Sequence, residues 1–397
     1  NTFKGLTLQN YKETDFKQLK VNTEGVKTLK IPSVDLYDKP IFMSTLLDTC
    51  YTVSLENTKN NLIGRIDEIK IVGNAIFILD SRKSKGVFMF NLNGKYIRRI
   101  GESGNGPGEY PFPEDFEVDE KNKEILVFNG TVRKIFRYNF EGEFLGNIPV
   151  ELGCYSISLL NNGNIVLFGG DYGNEHLAEL KNKILYVINR KGEIVSYGPS
   201  VSKDFNDVKV TIGNSYLVKN NMISYNHKFS DTIYVVNENE VKAEYTLDFG
   251  VNALNREKTK SLDTHDFLKE INETNIKPNF RGNHFQTSNY LSFYFLYGKK
   301  VINCFYHKKT SKLYASELID FSNIDCLYGF HVIGSHQDYF ISTLDAFNIV
   351  ESKDNISKIT DSKWLEENKQ LIKNLSNLDI EEEDNPVLIF FKLKDTL

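Results

Sequence analysis

A short turn recurs along this chain at a nearly constant interval. Asn91-Leu-Asn-Gly94-Lys, Asn139-Phe-Glu-Gly142-Glu and Asn189-Arg-Lys-Gly192-Glu stand 48 and 50 residues apart, and Asn237-Glu-Asn-Glu240 follows 48 residues later. Each follows a β-branched and aromatic run (Val87 to Phe90, Lys134 to Tyr138, Ile184 to Ile188, Thr232 to Val236) and precedes a second short run. Asn and Gly tolerate positive φ, so the pattern predicts tight hairpins. Two more strands lie upstream of the hairpin: Ile66 to Val72 and Ala75 to Leu79 around Gly73-Asn74, then Phe116 to Val118 and Glu124 to Phe128 across Asp119 to Lys123. The repeating unit is therefore four antiparallel strands, a to d. Helical repeats of similar length need 3.6-residue periodicity, which is missing here, whereas short strands at this period suit propeller blades.

A fifth unit runs from Asn283 to Ile319, with Tyr306-His-Lys-Lys-Thr-Ser-Lys312 in the hairpin position. A sixth begins near Phe330-His-Val-Ile and includes Tyr339 to Thr343. Its third strand is Val387 to Lys392, and its fourth comes from Cys50 to Leu55. Closure by an N-terminal strand removes the open edges of an unclosed ring. The expected fold is all-β: a six-bladed β-propeller of four-stranded antiparallel blades, one domain over 41–397. An extended leader over 1–40, carrying Pro32 and Pro40, precedes it.

Composition agrees. Of 397 residues 40% are hydrophobic and 13% aromatic, enough for a β-rich core. The net charge of -5 and the lack of a long basic run argue against nucleic acid as a partner. No apolar run approaches the roughly 18 residues that cross a bilayer, the densest being Tyr290 to Leu296. Cys50, Cys154, Cys304 and Cys326 form no CxxC pair, which points to buried thiols, with a Cys304 to Cys326 bridge as the alternative. A start at Asn1 instead of Met fits removal of a signal segment or trimming of the chain.

The segment Ile100-Gly-Glu-Ser-Gly-Asn-Gly-Pro-Gly-Glu-Tyr110, with Pro113, Phe116-Glu-Val-Asp119, Ile125-Leu-Val-Phe128, Lys134-Ile-Phe-Arg-Tyr138 and Gly142-Glu-Phe144, resembles an NHL-type repeat. More broadly the chain resembles the bacterial six-bladed β-propeller proteins with a TolB-like fold. Leu55-Glu-Asn-Thr58, Ile63-Gly-Arg-Ile-Asp67 and Asn385-Pro-Val-Leu-Ile-Phe-Phe-Lys392 carry that likeness over roughly residues 45 to 397. The resemblance implies a protein that is exported to the periplasm or outer surface. It also implies an anchoring lipid on a cysteine upstream of this chain.

Strand parity suggests where function sits. In an antiparallel blade the b–c and d–a connections leave at one end, and these carry the long insertions: Gly169 to Lys181, Val251 to Arg281 and about Ser352 to Asn385. Thr259 to Asn272 and Ser362 to Leu378 read as amphipathic helices that pack on their own domain. Long loops on a rigid scaffold concentrate binding residues, so the mouth of the channel at this end is the default site. Arg65, Asp67, Asp80, Glu109, Tyr110 and Asp115 lie at or near inner-strand ends and face the channel or form a turn-capping network. Asp171 and Tyr172, with Asn174, Glu175 and His176, form a polar loop suited to a sugar or, less well, to Ca²⁺. His227, Arg281 and His284 complete the ligand-binding candidates, and neither histidine belongs to a hydrolytic signature.

No cofactor is expected, Ca²⁺ being the alternative, and no catalytic residue is singled out. Two functional classes fit. One is a non-catalytic module of the cell envelope that binds a glycan, a peptide or an envelope protein through the loop-rich face. The other is a metal-dependent hydrolase, lactonase or lyase of the gluconolactonase-like propeller type.

Overall fold

The computed structural model describes residues 12–32, 41–170, 173–201, 217–220, 222–227, 230–259, 262–271, 278–317, 319–320, 331–367 and 369–395. The leader supplies β1 (Lys17–Gln18), β2 (Lys20–Asn22) and β3 (Lys27–Lys30), and β4 (Ile41–Phe42), the one-turn helix α1 (Met43–Leu46) and strand β5 (Leu47–Ser54) follow it. Blade one is β6 (Glu68–Val72), β7 (Ala75–Asp80), β8 (Gly86–Asn91) and β9 (Tyr96–Ile100). Blade two is β10 (Asp115–Asp119), β11 (Glu124–Asn129), β12 (Lys134–Asn139) and β13 (Phe144–Pro149). Blade three is β14 (Ser156–Leu159), β15 (Ile165–Phe168), β16 (Leu185–Ile188) and β17 (Ile194–Tyr197). Blade four is β18 (Leu217–Lys219), β19 (Ile223–Asn226), β20 (Thr232–Val236) and β21 (Glu240–Asp248).

Two short helices, α2 (Arg256–Thr259) and α3 (Thr264–Lys269), precede blade five: β22 (Pro278–Gln286), β23 (Tyr290–Tyr297), β24 (Lys300–His307) and β25 (Leu313–Ser316). Then come β26 (Ile319–Asp320), β27 (Gly334–His336), β28 (Tyr339–Leu344), helices α4 (Ala346–Ile356), α5 (Ser362–Glu367) and α6 (Lys369–Ser376), and the last strand β29 (Val387–Leu393). Blade six has the order β27-β28-β29-β5. The fold is a six-bladed β-propeller of mostly four-stranded antiparallel sheets.

The recurring turn has a common physical basis. Asn91 Oδ1 accepts from the N–H of Asn93 and Lys95, Asn189 Oδ1 from Lys191 and Glu193, and Asn237 Oδ1 from Asn239 and Glu240. Gly94, Gly142 and Gly192 take φ of +80°, +80° and +88°, where a side chain would be strained. Each of these c–d pairs then carries a bulge, directly before the turn at Met89/Phe90, Arg137/Tyr138 and Val187/Ile188 and further back, at Ile233/Tyr234, in blade four. Gly94 and Gly192 also dock their turns on a neighbouring blade. A Cβ on Gly94 would lie 2.0 Å from the Ser54 carbonyl oxygen, and one on Gly192 2.3 Å from that of Pro149.

Closure follows the expectation. Val387 pairs with Ser54 and Phe391 with Cys50 in antiparallel register. The leader does more than was foreseen, because β1 runs parallel to β17, the outer strand of blade three, and β2 and β3 run parallel to β21, the outer strand of blade four. β4 pairs with β26. Leu19 and Leu29 are the buried anchors of this strap, at 1% and 3% exposure.

Three boundaries differ from expectation. Helix α3 is shorter than Thr259 to Asn272, because Asp263 caps it by accepting the Asp266 N–H. The insertion of blade six starts at Ala346, with a helix that the sequence reading left out. The first strand of blade six begins at Gly334; Phe330 and Cys326 lie outside the described residues.

The described chain forms two compact units. One comprises Asn1–Ile31, Gly101–Asn283 and Phe295–Lys300, and the other Pro32–Ile100, His284–Tyr294 and Val301–Leu397. In the first, the core lies between successive blades: Leu126, Phe128 and Ile135 of blade two meet Ile157, Ile165 and Leu167 of blade three. A second cluster joins blades three and four and takes in Leu19 of the strap. In the second unit, Ile76, Ile78 and Phe88 of blade one pack with Ile341, Leu388 and Phe390 of blade six. Cys50, Cys154 and Cys304 are buried free thiols, and burial pushes those of Cys154 and Cys304 well up.

Candidate functional site

The charged residues at the strand ends of blade one are consumed locally. Asp80 closes β7 fully buried, and its two oxygens accept the N–H groups of Gly64 (2.9 Å), Arg65 (3.3 Å), Arg82 (3.2 Å) and Lys83 (2.8 Å). Asp67 accepts the N–H and hydroxyl of Ser81 and pairs with Arg65 Nε at 2.9 Å. A buried carboxylate this well supplied with donors holds its turns in place. Blade two repeats the device with different residues: Glu114 accepts from Gly130 and Thr131, while Asn129 accepts from Val132. Burial raises the Glu114 carboxyl, against the lowering effect of those two N–H groups.

The glycine-rich connection from blade one is also self-contained. Glu109 Oε2 accepts the Gly106 N–H at 2.8 Å. Tyr110 is fully buried, edge-on to Phe136 and Tyr138, and the Tyr138 hydroxyl donates to the Gly108 carbonyl at 2.8 Å. Burial first, then Tyr110 and Glu109, raises the Tyr138 phenol.

Side chains from three blades meet on the first strands of blades two, three and four. Strand β10 reads Asp115-Phe-Glu-Val-Asp119, so alternation sends Phe116 and Val118 to one side and the carboxylates to the other. Asp115 Oδ2 accepts the Ile157 N–H at 2.6 Å. Glu117 Oε2 accepts the Ser158 hydroxyl at 2.7 Å and the Leu159 N–H at 3.3 Å. Numbers rise together on both strands, so β10 and β14 run side by side in one direction, bridged by side chains where no backbone ladder forms. Lys219 of β18 brings its ammonium to 3.8 Å from Glu117, with 30% of its side chain exposed. A carboxylate, a hydroxyl and an ammonium thus share one cluster. Glu117, Ser158 and Lys219 were not among the sequence candidates. The detectable signal was acidic residues at i, i+2 and i+4 of a first strand.

At the other end of β10 a clasp joins blades two and three. Arg190, from the c–d turn of blade three, pairs with Asp119 and with Glu124 (3.2 Å) and donates from Nε to the Gly163 carbonyl. Arg137 also holds Glu124. For Asp119, burial works upward but is outweighed by hydrogen bonds from Asn122 and by Arg190, so its carboxyl sits below the usual range.

The remaining candidates are dispersed. Asp171 and Tyr172 lie outside the described residues, as does the side chain of Arg281 on β22. His227 follows β19 half-buried, and His284 is fully buried within β22. In the blade-three insertion, Asn174 exchanges hydrogen bonds with Gly153 and His176 Nε2 meets the Glu151 carbonyl at 2.7 Å. Glu175 and Lys181 form an exposed pair at 3.6 Å. Among the described residues no three of His, Cys, Asp and Glu converge as a metal-holding group.

These features define a bacterial-type six-bladed β-propeller whose strand-end charges are engaged in internal bonding. The chain belongs to the domain-of-unknown-function family DUF4934, whose model matches residues 29–392. No curated protein matches it. Among solved structures it is similar to a Bacteroides fragilis protein named as a candidate for export, with TM-score 0.75 and 20% identity over 93% of this chain and 99% of that one. It is also similar to a DUF4221 member from Bacteroides vulgatus, with TM-score 0.51 and 12% identity over 88% and 97% of the two chains. Virginiamycin B lyase from Staphylococcus aureus aligns over 74% of this chain and 81% of its own at TM-score 0.37 and 12% identity, too loose a likeness to carry chemistry.

Proposed function

We propose that this protein is an exported bacterial propeller that binds a ligand without transforming it, through the insertions at the b–c and d–a ends of its blades. The supporting observation is how the acidic groups are committed: Asp67, Asp80, Glu109, Asp115 and Glu117 each hold backbone N–H groups or a neighbouring hydroxyl. An acid that anchors a turn cannot be withdrawn to hold a metal or move a proton without leaving those donors unpaired. The insertions instead present exposed groups: Glu175, Lys181, Val251 and Phe347. Export is supported by the name of the Bacteroides fragilis relative, and among the described residues no helix is long and apolar enough to cross a membrane.

The test uses the full chain and a variant in which residues 170–182 are replaced by Asn-Gly. Both are applied to arrays of bacterial glycans, peptides and purified envelope proteins. The full chain is expected to bind one class, and the variant to lose it. Turnover of a lactone, ester or polysaccharide by the full chain would overturn the reading. Fractionation of cells should place the protein in the periplasm or at the outer surface; recovery from the cytoplasm refutes export.

A further inference from the structure

Blade six carries an aromatic shelf on β5, β28 and β29, and helix α6 of its own insertion packs beside β5. Residues i and i+2 of a strand share a face, which puts Thr49 beside Tyr51 on β5 and Phe390 beside Lys392 on β29. Phe390 and Tyr51 are cross-strand partners, as are Lys392 and Thr49. The Tyr51 ring lies flat on buried Phe390, with centroids 4.7 Å apart and planes 2° from parallel. Tyr339 meets Tyr51 at 70° and 5.3 Å. Phe390 thus covers one ring face, yet Tyr51 remains 42% exposed, so what is open is the remainder of the ring and its hydroxyl end.

The rim of this shelf is polar. Thr49 Oγ1 donates to the Tyr339 hydroxyl at 3.3 Å. Lys392 Nζ stands 3.8 Å from Asp338 Oδ2, beyond good hydrogen-bond length, with 26% and 42% of the side chains exposed. Burial, then Tyr339, raises the Tyr51 phenol above its ordinary 10.0. Cross-strand aromatic pairing alone explains why Phe390 and Tyr51 stack. It does not explain a held, partly exposed ring bordered by the Tyr339 phenol, a threonine hydroxyl, an ammonium and a carboxylate.

We infer that this shelf binds a pyranose unit of a glycan, the Tyr51 ring taking the flat C–H face of the sugar and the Tyr339, Thr49, Asp338 and Lys392 groups taking its hydroxyls. A pyranose presents an apolar face with polar edges, matching an apolar ring with a polar border. An aromatic peptide side chain would leave the border unpaired. Lys392 and Asp338 side by side offer both a donor and an acceptor with no net charge, which suits a neutral sugar over an acidic one. The inference stands apart from the blade-three insertion of residues 170–182, which lies on another sheet.

Isothermal titration of the full chain with cellohexaose, maltohexaose, mannohexaose and xylohexaose tests it. At least one is expected to bind. Tyr51→Ala should weaken that binding at least about tenfold and Tyr51→Phe only slightly, because the ring face is the main contact. Asp338→Asn with Lys392→Met keeps the ring while changing the border, and should weaken binding about threefold or more even if Tyr51→Ala fails to fold. Replacement of residues 170–182 should leave it unchanged. No binding by the native chain to any of the four, or unaltered binding by Tyr51→Ala, would overturn the assignment.

Discussion

Blades two and three, neighbours in one compact unit, treat their outer edges in opposite ways. The outer strand of blade three, β17, is covered by β1 of the leader, with Leu19 buried beside it. The outer strand of blade two, β13, is the last strand of its sheet and bears Phe144 and Leu145 exposed. Both strands carry a bulge, Leu145 on β13 and Val195 on β17, and β13 adds Gly146 at φ +131°, away from the extended backbone of a regular partner strand. The contrast teaches that a bulge common to both strands does not decide which edge is covered.

Removing residues 1–31 attacks the covered side most heavily. It strips the partner strands from β17 and β21, takes Leu19 and Leu29 from the core, and leaves Lys183, 6% exposed, without its Glu13 partner. A loss of about 4 kcal/mol or more is expected in denaturant unfolding, together with concentration-dependent self-association in light scattering. A monomer of unchanged stability would mean the strap is ornamental. Leu19→Ala, which opens a cavity in the cluster of blades three and four, should cost about 2–4 kcal/mol without association, because the strap's backbone pairing survives.

The clasp between the bare and the covered blade has a pH signature. Because the Asp119 carboxyl is held below its ordinary 3.8, its contribution is complete above that pH and is lost as pH falls through the lowered value. Asp119→Asn should therefore be less stable by about 1–2 kcal/mol at pH 6, with the gap to the native chain closing towards pH 2. A gap that stays constant with pH would show that the clasp works without charge. The smallest effect belongs to the bare edge: Leu145→Lys should change stability by less than about 0.5 kcal/mol and leave the protein monomeric. Self-association on that change would show that exposed Leu145 guards the edge.

The hairpin rhythm was readable because its asparagines and glycines meet a local demand, a positive φ at a fixed place, that no distant residue can alter. Closure by the segment around Cys50 was readable too, since a lone apolar run needed a partner sheet. The strap was not: Lys17-Gln18 and Lys27 to Lys30 have little strand character of their own, and their conformation is decided by edges more than 150 residues away. Helix α4 escaped because its buried side mixes Ala346, Ile349, Ser352 and Ile356, a stripe broken by a polar residue whose hydroxyl bonds back to the Asn348 carbonyl. The first-strand cluster was half legible. Asp115 was named, but Glu117 looked like a solvent-facing residue, because nothing in a single strand shows that its polar side faces another blade.

The last sheet pairs Ser54 of β5 with Val387 of β29, strands that lie far apart along the chain. During synthesis β5 therefore stays without its sheet partner until β29 has left the ribosome, and any chaperone that guards the nascent chain must shield the apolar face of β5, Val53 included, for that interval.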